Sequence, residues 1–250
     1  AAYNVLASSG AKVVIGSVSQ IERDFTFGAG GGTLDLNGNS MDWYTSTDAD
    51  DRFTINALTE EAIITNTAGT ATLTYKEAGN TTYAGSFANS ATGFLNITYA
   101  GGGTWTLNSL HTNLANSTFT VQNGKVILSG TNTVHGMGSV NGKNATRYTN
   151  ADDWHYADAA MYVEINDGAT FELGSHARLR GDVWAKSGST FILREGVKHQ
   201  YEYVEGGAAK ENTYLYSDFY GLHDSTIVLD SGASLKIQYS AGTTANTTLG

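Results

Sequence analysis

The sequence predicts an all-β chain folded as a right-handed parallel β-helix (a solenoid) with two inserted loops or hairpins. Three observations predict it. Apolar and polar residues alternate with period two, and helical periodicity is almost absent. Short runs of one kind recur along the chain. The composition suits paired strands joined by tight turns.

The alternation is clearest at Thr33–Leu36, Ala71–Thr74, Thr104–Leu107, Thr118–Val121, Lys125–Leu128, Thr170–Leu173, Thr190–Leu193 and Thr226–Leu229. Most of these runs place a small or polar residue, a bulky apolar one, a spacer, then Leu or Val. Setting aside Val121, the last bulky apolar residues of the other seven runs fall at 36, 73, 107, 128, 173, 193 and 229, giving intervals of 37, 34, 21, 45, 20 and 36. A coil of such a repeat takes roughly 20–25 residues. The longer intervals therefore need a weaker rung or an inserted loop. The spacing predicts about ten rungs and a rod about 50 Å long at ~4.8 Å per rung. A single rung cannot bury its apolar side, so stability must come from its neighbours. Gly and Asn are expected at positive-φ corners. Outward Thr and Ser rows suit the pleated surface.

Composition narrows the classes. The 250 residues include 30 Gly, no Cys and no Pro. Missing Cys excludes disulfide scaffolds, thiolate zinc sites and cysteine nucleophiles. Proline removes a ladder donor, and a chain made of paired strands has few places for it. The net charge of −10 argues against nucleic acid or anionic lipid as partners, since both need a basic footprint. No stretch reaches the ~18 apolar residues of a bilayer-spanning helix. No charged segment followed by an apolar one opens the chain, so any export signal has been removed or lies elsewhere.

The whole of 1–250 reads as a single β-helical segment. Residues 131–160 and 194–221 break its pattern and are richer in aromatic and charged residues, as insertions on the rod would be. They supply the partner-binding candidates: Tyr148, Asp152, Asp153, Trp154, His155 and Tyr156 in the first, and Tyr201, Tyr203, Tyr214, Tyr216, Phe219 and Tyr220 in the second. Tyr and Trp offer rigid contact area with a polar tip, which suits glycans and protein partners. The 201/203 and 214/216 alternation equally fits a hairpin pinned to the rod by one face.

No catalytic, cofactor or metal site is expected. The nucleophile elbow, the phosphate loop and the His-Glu-x-x-His helix are missing. The runs Gly30–Gly32 and Gly101–Gly103 precede no helix and read as turns. Asp48, Asp50 and Asp51 lack the glycine and distal glutamate of a calcium loop. Asp152–Asp153 and Glu202/Glu205 are the nearest carboxylate pairs for polysaccharide cleavage.

One stretch is more specific. Gly31-Gly32-Thr33-Leu34-Asp35-Leu36-Asn37-Gly38-Asn39-Ser40 is followed by Ala62-Ile63-Ile64-Thr65-Asn66-Thr67 and Ala71-Thr72-Leu73-Thr74. This resembles the passenger β-helix of bacterial autotransporters, especially the IgA-protease-like serine protease autotransporters, over about 45 residues. Elsewhere the chain agrees in style only, a style shared with self-associating autotransporter adhesins. Glu60–Glu61 and the acidic, aromatic segment 42–52 depart from the family pattern, and its Gly-Asp-Ser-Gly protease motif is absent. The resemblance implies export across the outer membrane to the cell surface or medium. The rod, its outward polar rows and the absence of a catalytic motif point to an adhesin whose rods self-associate in aggregation and biofilm. Its expected partners are another copy of itself and host glycans or matrix proteins, with no membrane insertion by this segment. A non-catalytic stem for an upstream trypsin-like protease and a polysaccharide-active β-helix are the alternatives.

Overall fold

The computed structural model describes residues 5–7, 9–17, 25–44, 55–56, 59, 61–108, 114, 117–129, 134–135, 161–179, 181–199, 219–221 and 225–235. All regular structure among them is β, and every strand pairing is parallel. The strands are β1 Val5–Ala7, β2 Lys12–Val14, β3 Phe25–Phe27, β4 Gly32–Asp35, β5 Met41–Trp43, β6 Ile55–Asn56, β7 Ala62–Asn66, β8 Gly69–Tyr75, β9 Thr81–Tyr83, β10 Ser86–Asn89, β11 Gly93–Tyr99 and β12 Thr104–Leu107. They continue with β13 Thr118–Val121, β14 Lys125–Leu128, β15 Val134–His135, β16 Met161–Ile165, β17 Thr170–Leu173, β18 Arg178–Leu179, β19 Gly181–Ala185, β20 Thr190–Leu193, β21 Lys198–His199, β22 Phe219–Gly221, β23 Thr226–Leu229 and β24 Ser234–Leu235.

Two long sheets carry the stack. One has seven strands in the order β22-β19-β16-β13-β11-β8-β5, and the other six in the order β23-β20-β17-β14-β12-β9. A four-stranded sheet, β10-β7-β4-β2, and a three-stranded sheet, β1-β3-β6, serve the early coils. From β13 onward each coil visits the seven-stranded sheet, the six-stranded one and then a short third strand, with β15 paired to β18 and β21 to β24. This is a parallel β-helix, as the alternation predicts.

Six of the eight runs read from sequence coincide with strands: β12, β13, β14, β17, β20 and β23. The interval series, however, mixes sheets. Leu36 follows a strand of the four-stranded sheet and Leu73 sits in the seven-stranded one, so their spacings do not measure a coil. Within the six-stranded sheet the closing residues are Tyr83, Leu107, Leu128, Leu173, Leu193 and Leu229. β14 pairs directly with β17, and β20 with β23. The intervals of 45 and 36 residues are therefore single coils with long excursions, not coils with a weak rung between. Rung structure also reaches into both expected insertions, as β15 in the first and as β21 and β22 in the second.

Inward positions form rows across the rungs. Trp105, Val126, Phe171 and Phe191 make one, and Leu107, Leu128, Leu173 and Leu193 the next, all buried. Each such side chain contributes roughly 1.5–3 kcal/mol by leaving water. Phe171 and Phe191 stack with centroids 6.0 Å apart. Earlier coils use larger rings: Trp43 lies 4.6 Å from Tyr75, and Tyr75 4.7 Å from Trp105.

The turns are tight and repeated. Asn166–Ala169, Lys186–Ser189, Arg194–Val197 and Asp230–Ala233 each close with an N–H···O=C bond of 3.0–3.1 Å from fourth residue to first. Their third residues, Gly168, Gly188, Gly196 and Gly232, have φ between 69° and 75°, which side chains with a Cβ rarely adopt. In the Gly101–Gly103 run the reason is proximity: a Cβ on Gly101 would stand 1.8 Å from the carbonyl oxygen of Glu77, one coil away.

Asparagine plays a different part from the one expected. Asn37, with φ 48°, takes a positive-φ corner, but Asn66 and Asn89 do not. They act through their side chains. Asn66 Oδ1 accepts from the Gly38 amide at 2.7 Å, and its Nδ2 donates to the carbonyls of Ala68, Gly69 and Phe94. Asn89 Oδ1 accepts from the Leu95 amide and the Ser117 hydroxyl. Asp35 accepts from the Asn37 and Thr67 amides and from Thr67 Oγ1, and pairs with Lys12 at 2.9 Å. These buried groups satisfy the backbone where it bends between the four- and seven-stranded sheets.

Replacing Asn66 by Ala should therefore destabilise the fold by about 3 kcal/mol, because it orphans several buried groups on successive coils. Denaturant unfolding monitored by circular dichroism measures this; a change below about 1 kcal/mol would refute the corner role.

Candidate functional site

Strand alternation divides the long sheets into an inner and an outer side. On the outer side of the seven-stranded sheet, one row runs Asp42, Thr74, Thr98, Thr120, Glu164 and Trp184, with Tyr220 next in register. A neighbouring row runs Thr72, Asn96, Thr118 and Tyr162. Trp184 is 36% exposed, and its indole meets the ring of buried Tyr162 edge to face at 6.0 Å. Beside them Lys186 Nζ donates to Asn166 Oδ1 at 2.8 Å and lies 3.5 Å from Glu164.

The outer side of the six-stranded sheet is built differently. One row runs Thr104, Lys125, Thr170, Thr190 and Thr226, and the next Thr82, Thr106, Ile127, Glu172, Ile192 and Val228. Glu172 is buried although it faces outward. Its carboxylate is 2.7 Å from Lys125 Nζ, one rung before, and 2.8 Å from Arg194 Nη2, one rung after. Arg194 also reaches Asp230 at 3.2 Å, so four charges bridge four rungs. These four rungs, β14, β17, β20 and β23, are joined by the two long coils. Burial pushes the Glu172 carboxyl up, but hydrogen bonds and charge from Arg194 and Lys125 outweigh it and hold it below the usual carboxylate value. Asp35 behaves likewise: burial raises it, and Thr67 and Lys12 bring it lower. A carboxylate kept ionised by cations is poorly suited to donate a proton as a general acid.

Among the described residues no three His, Cys, Asp or Glu side chains gather to hold a metal. No helix among them is long and apolar enough to cross a membrane, which says nothing of β-barrels.

The aromatic candidates fall mostly elsewhere. Tyr148, Asp152, Asp153, Trp154, His155, Tyr156, Tyr201, Tyr203, Tyr214 and Tyr216 lie outside the described residues, as do Asp48, Asp50, Asp51, Glu202 and Glu205. Phe219 and Tyr220 form part of β22, in register with Val183 and Trp184. Sequence reading missed Tyr162 and Trp184. The signal was available: each stands at an alternation position that elsewhere holds Thr, Asn or Glu.

The fold and its polar outer rows define a parallel β-solenoid. A family model described as the PIC/HAP1/IgA0 second beta-solenoid repeat region matches residues 93–238, more than half of the chain, and the chain belongs to that family. It is an autotransporter-like passenger β-solenoid, a class whose members are exported to the cell surface or medium. The match is to a solenoid repeat region rather than to a catalytic domain. It covers the part of the chain that agreed in style only, while the Leu34–Ser40 motif lies before it. No curated protein and no solved structure matches the chain.

The Glu172 bridge makes stability depend on pH. Because its folded-state pKa is depressed, the stabilisation is present above the unfolded value near 4.5 and is lost as pH falls through the folded one. Replacing Glu172 by Gln should cost about 2 kcal/mol at pH 7, less than a fully buried pair because Lys125 and Arg194 keep contact with water. It should also flatten the acid limb of stability below about pH 4.5, measured as melting temperature against pH; an unchanged limb would assign the acid sensitivity elsewhere.

Proposed function

We propose that this segment is an adhesive part of an exported passenger, and that its rods associate side by side, promoting cell aggregation and biofilm. The observation that carries this is the outer side of the six-stranded sheet. There half-buried Ile127 and Ile192 and exposed Val228 stand beside the hydroxyls of Thr170, Thr190 and Thr226. A second rod laid against it would bury β-branched side chains on either side of the already neutralised Glu172 bridge and gain hydrogen bonds that repeat along the rod. Each such bond contributes only about 0.5–1.5 kcal/mol, but repetition adds avidity. Family membership supports the surface setting. Host glycans or matrix proteins are the other expected partners, and the aromatic candidates in 131–160 and 194–221 remain proposed contacts for them.

The family's description as a solenoid repeat region favours a second reading, that of a non-catalytic stem. A Gly-Asp-Ser-Gly motif upstream in the parent chain would support it, and a stem of this build could also adhere.

Sedimentation of the purified chain across a concentration series, paired with clumping of cells displaying it, tests the first reading. Thr190→Glu places a like charge on both partners of a symmetric contact and should weaken association by about tenfold or more. A wild-type chain that stays monomeric on cells that do not clump would end the self-association proposal.

A further inference from the structure

The outer side of the seven-stranded sheet holds a feature that rod-to-rod association does not use. Large apolar side chains are exposed at four described positions: Val14, Trp184, Val228 and Leu229. Val14 lies on β2, the first rung of its sheet, and Val228 and Leu229 on β23, the last rung of theirs. Their exposure follows from a missing neighbour. Trp184 is different, because β19 has a paired strand on each side, β16 and β22. An indole held open on a strand that is paired on both sides is not explained by a missing neighbour.

Its surroundings define what it suits. Tyr162 meets the indole edge to face and buttresses it, so the ring is fixed before any ligand arrives. Of the charges beside the ring, Glu164 and Lys186 face one another at 3.5 Å, and Lys186 also holds Asn166. Asp182, two residues before Trp184 on β19 and in register with Tyr162, adds an acidic residue, so the charge along this strand is acidic rather than basic. Glu164 occupies the rung next to Trp184 in the same row, and beyond it the side chains of Thr120, Thr98 and Thr74 follow at one-rung steps of about 4.8 Å. An aromatic platform followed by evenly spaced hydroxyls is the complement of an extended sugar chain. The apolar C–H face of one pyranose stacks on the ring, and hydroxyls of later residues meet polar groups at a spacing close to their own. The net charge of −10 disfavours a polyanionic chain.

We propose that Trp184, buttressed by Tyr162 and continued by Thr120, Thr98 and Thr74, forms a binding track for a neutral polysaccharide on the outer side of the seven-stranded sheet. The track deepens the adhesive reading by naming a ligand class, and it does not depend on self-association, which is assigned to the other sheet.

The test titrates the full chain with a β-1,4-linked N-acetylglucosamine hexamer and a β-1,4-linked glucose hexamer as neutral probes, and with an oligogalacturonide of the same length as the acidic probe. Calorimetry and tryptophan emission are the readouts. Binding of at least one neutral probe is expected, with the acidic probe weaker. Trp184→Ala should weaken the neutral probe by about tenfold, the size of one lost ring contact, and Trp184→Phe should stay within about threefold. Thr120→Val, which keeps shape and removes the hydroxyl, should weaken it by about threefold. Unchanged circular dichroism in each variant separates lost binding from lost fold. The proposal is overturned if neither neutral probe binds, if Trp184→Ala binds as wild type does, or if the acidic probe binds more tightly. It is also overturned if Trp184→Ala alters sedimentation but not sugar binding, which would make this face a contact between rods. Clumping that persists without sugar binding would remove the track and leave the self-association proposal standing.

Discussion

A strand of four residues in this chain has no partner within its own coil. Its amides and carbonyls are satisfied by the coils before and after it, in register, and its apolar side chains are covered by the same neighbours. The ladder between coils is therefore the interaction on which the rest depends. It explains why inward positions recur as rows of one kind of residue. Phe171 above Phe191 and Leu173 above Leu193 are the outcome of stacking like on like at a fixed step. It also explains the turns: Gly168 and Gly188 hold nearly the same φ because successive coils must bend alike to stay in register.

Polar groups reinforce the ladder where it is weakest. At the corner after the four-stranded sheet, Asp35, Asn66 and Asn89 occupy buried sites and answer backbone groups on neighbouring coils. Over the six-stranded sheet, Lys125, Glu172, Arg194 and Asp230 span the rungs whose coils are longest. Closing a longer loop costs only slightly more, about 0.6 kcal/mol per doubling of length. A few ionic and hydrogen-bonded contacts are of the right size to offset that cost.

Much of the fold was legible in the sequence, because alternation reports inward and outward directly. The strands at 104–107, 118–121, 125–128, 170–173, 190–193 and 226–229 fall where the period-two runs place them. What was not legible was lateral. Which strand lies beside which depends on register between coils of unequal length, and the interval series merged strands from three sheets for that reason. The same blindness hid the Glu172 bridge, whose members are 22 to 47 residues apart on either side. It also hid the meeting of Tyr162 with Trp184. Asparagine was assigned to positive-φ corners, which holds at Asn37, whereas Asn66 and Asn89 act through side-chain hydrogen bonds. The charged and aromatic candidates of the two excursions lie mostly outside the described residues, and Phe219 and Tyr220 proved to belong to a rung.

The two excursions begin and end at equivalent points of their coils. One leaves after β15 and returns at β16, and the other leaves after β21 and returns at β22, with only β19 between those two return strands in the sheet. The stack thus works as a ruler. The separation of the two return points, about 10 Å, is set by a whole number of rungs. Inserting or deleting one regular coil would change that separation by one step of about 4.8 Å and leave both points on the same flank. The spacing of the two return strands can therefore change only in whole rungs, whatever the length of chain that precedes each.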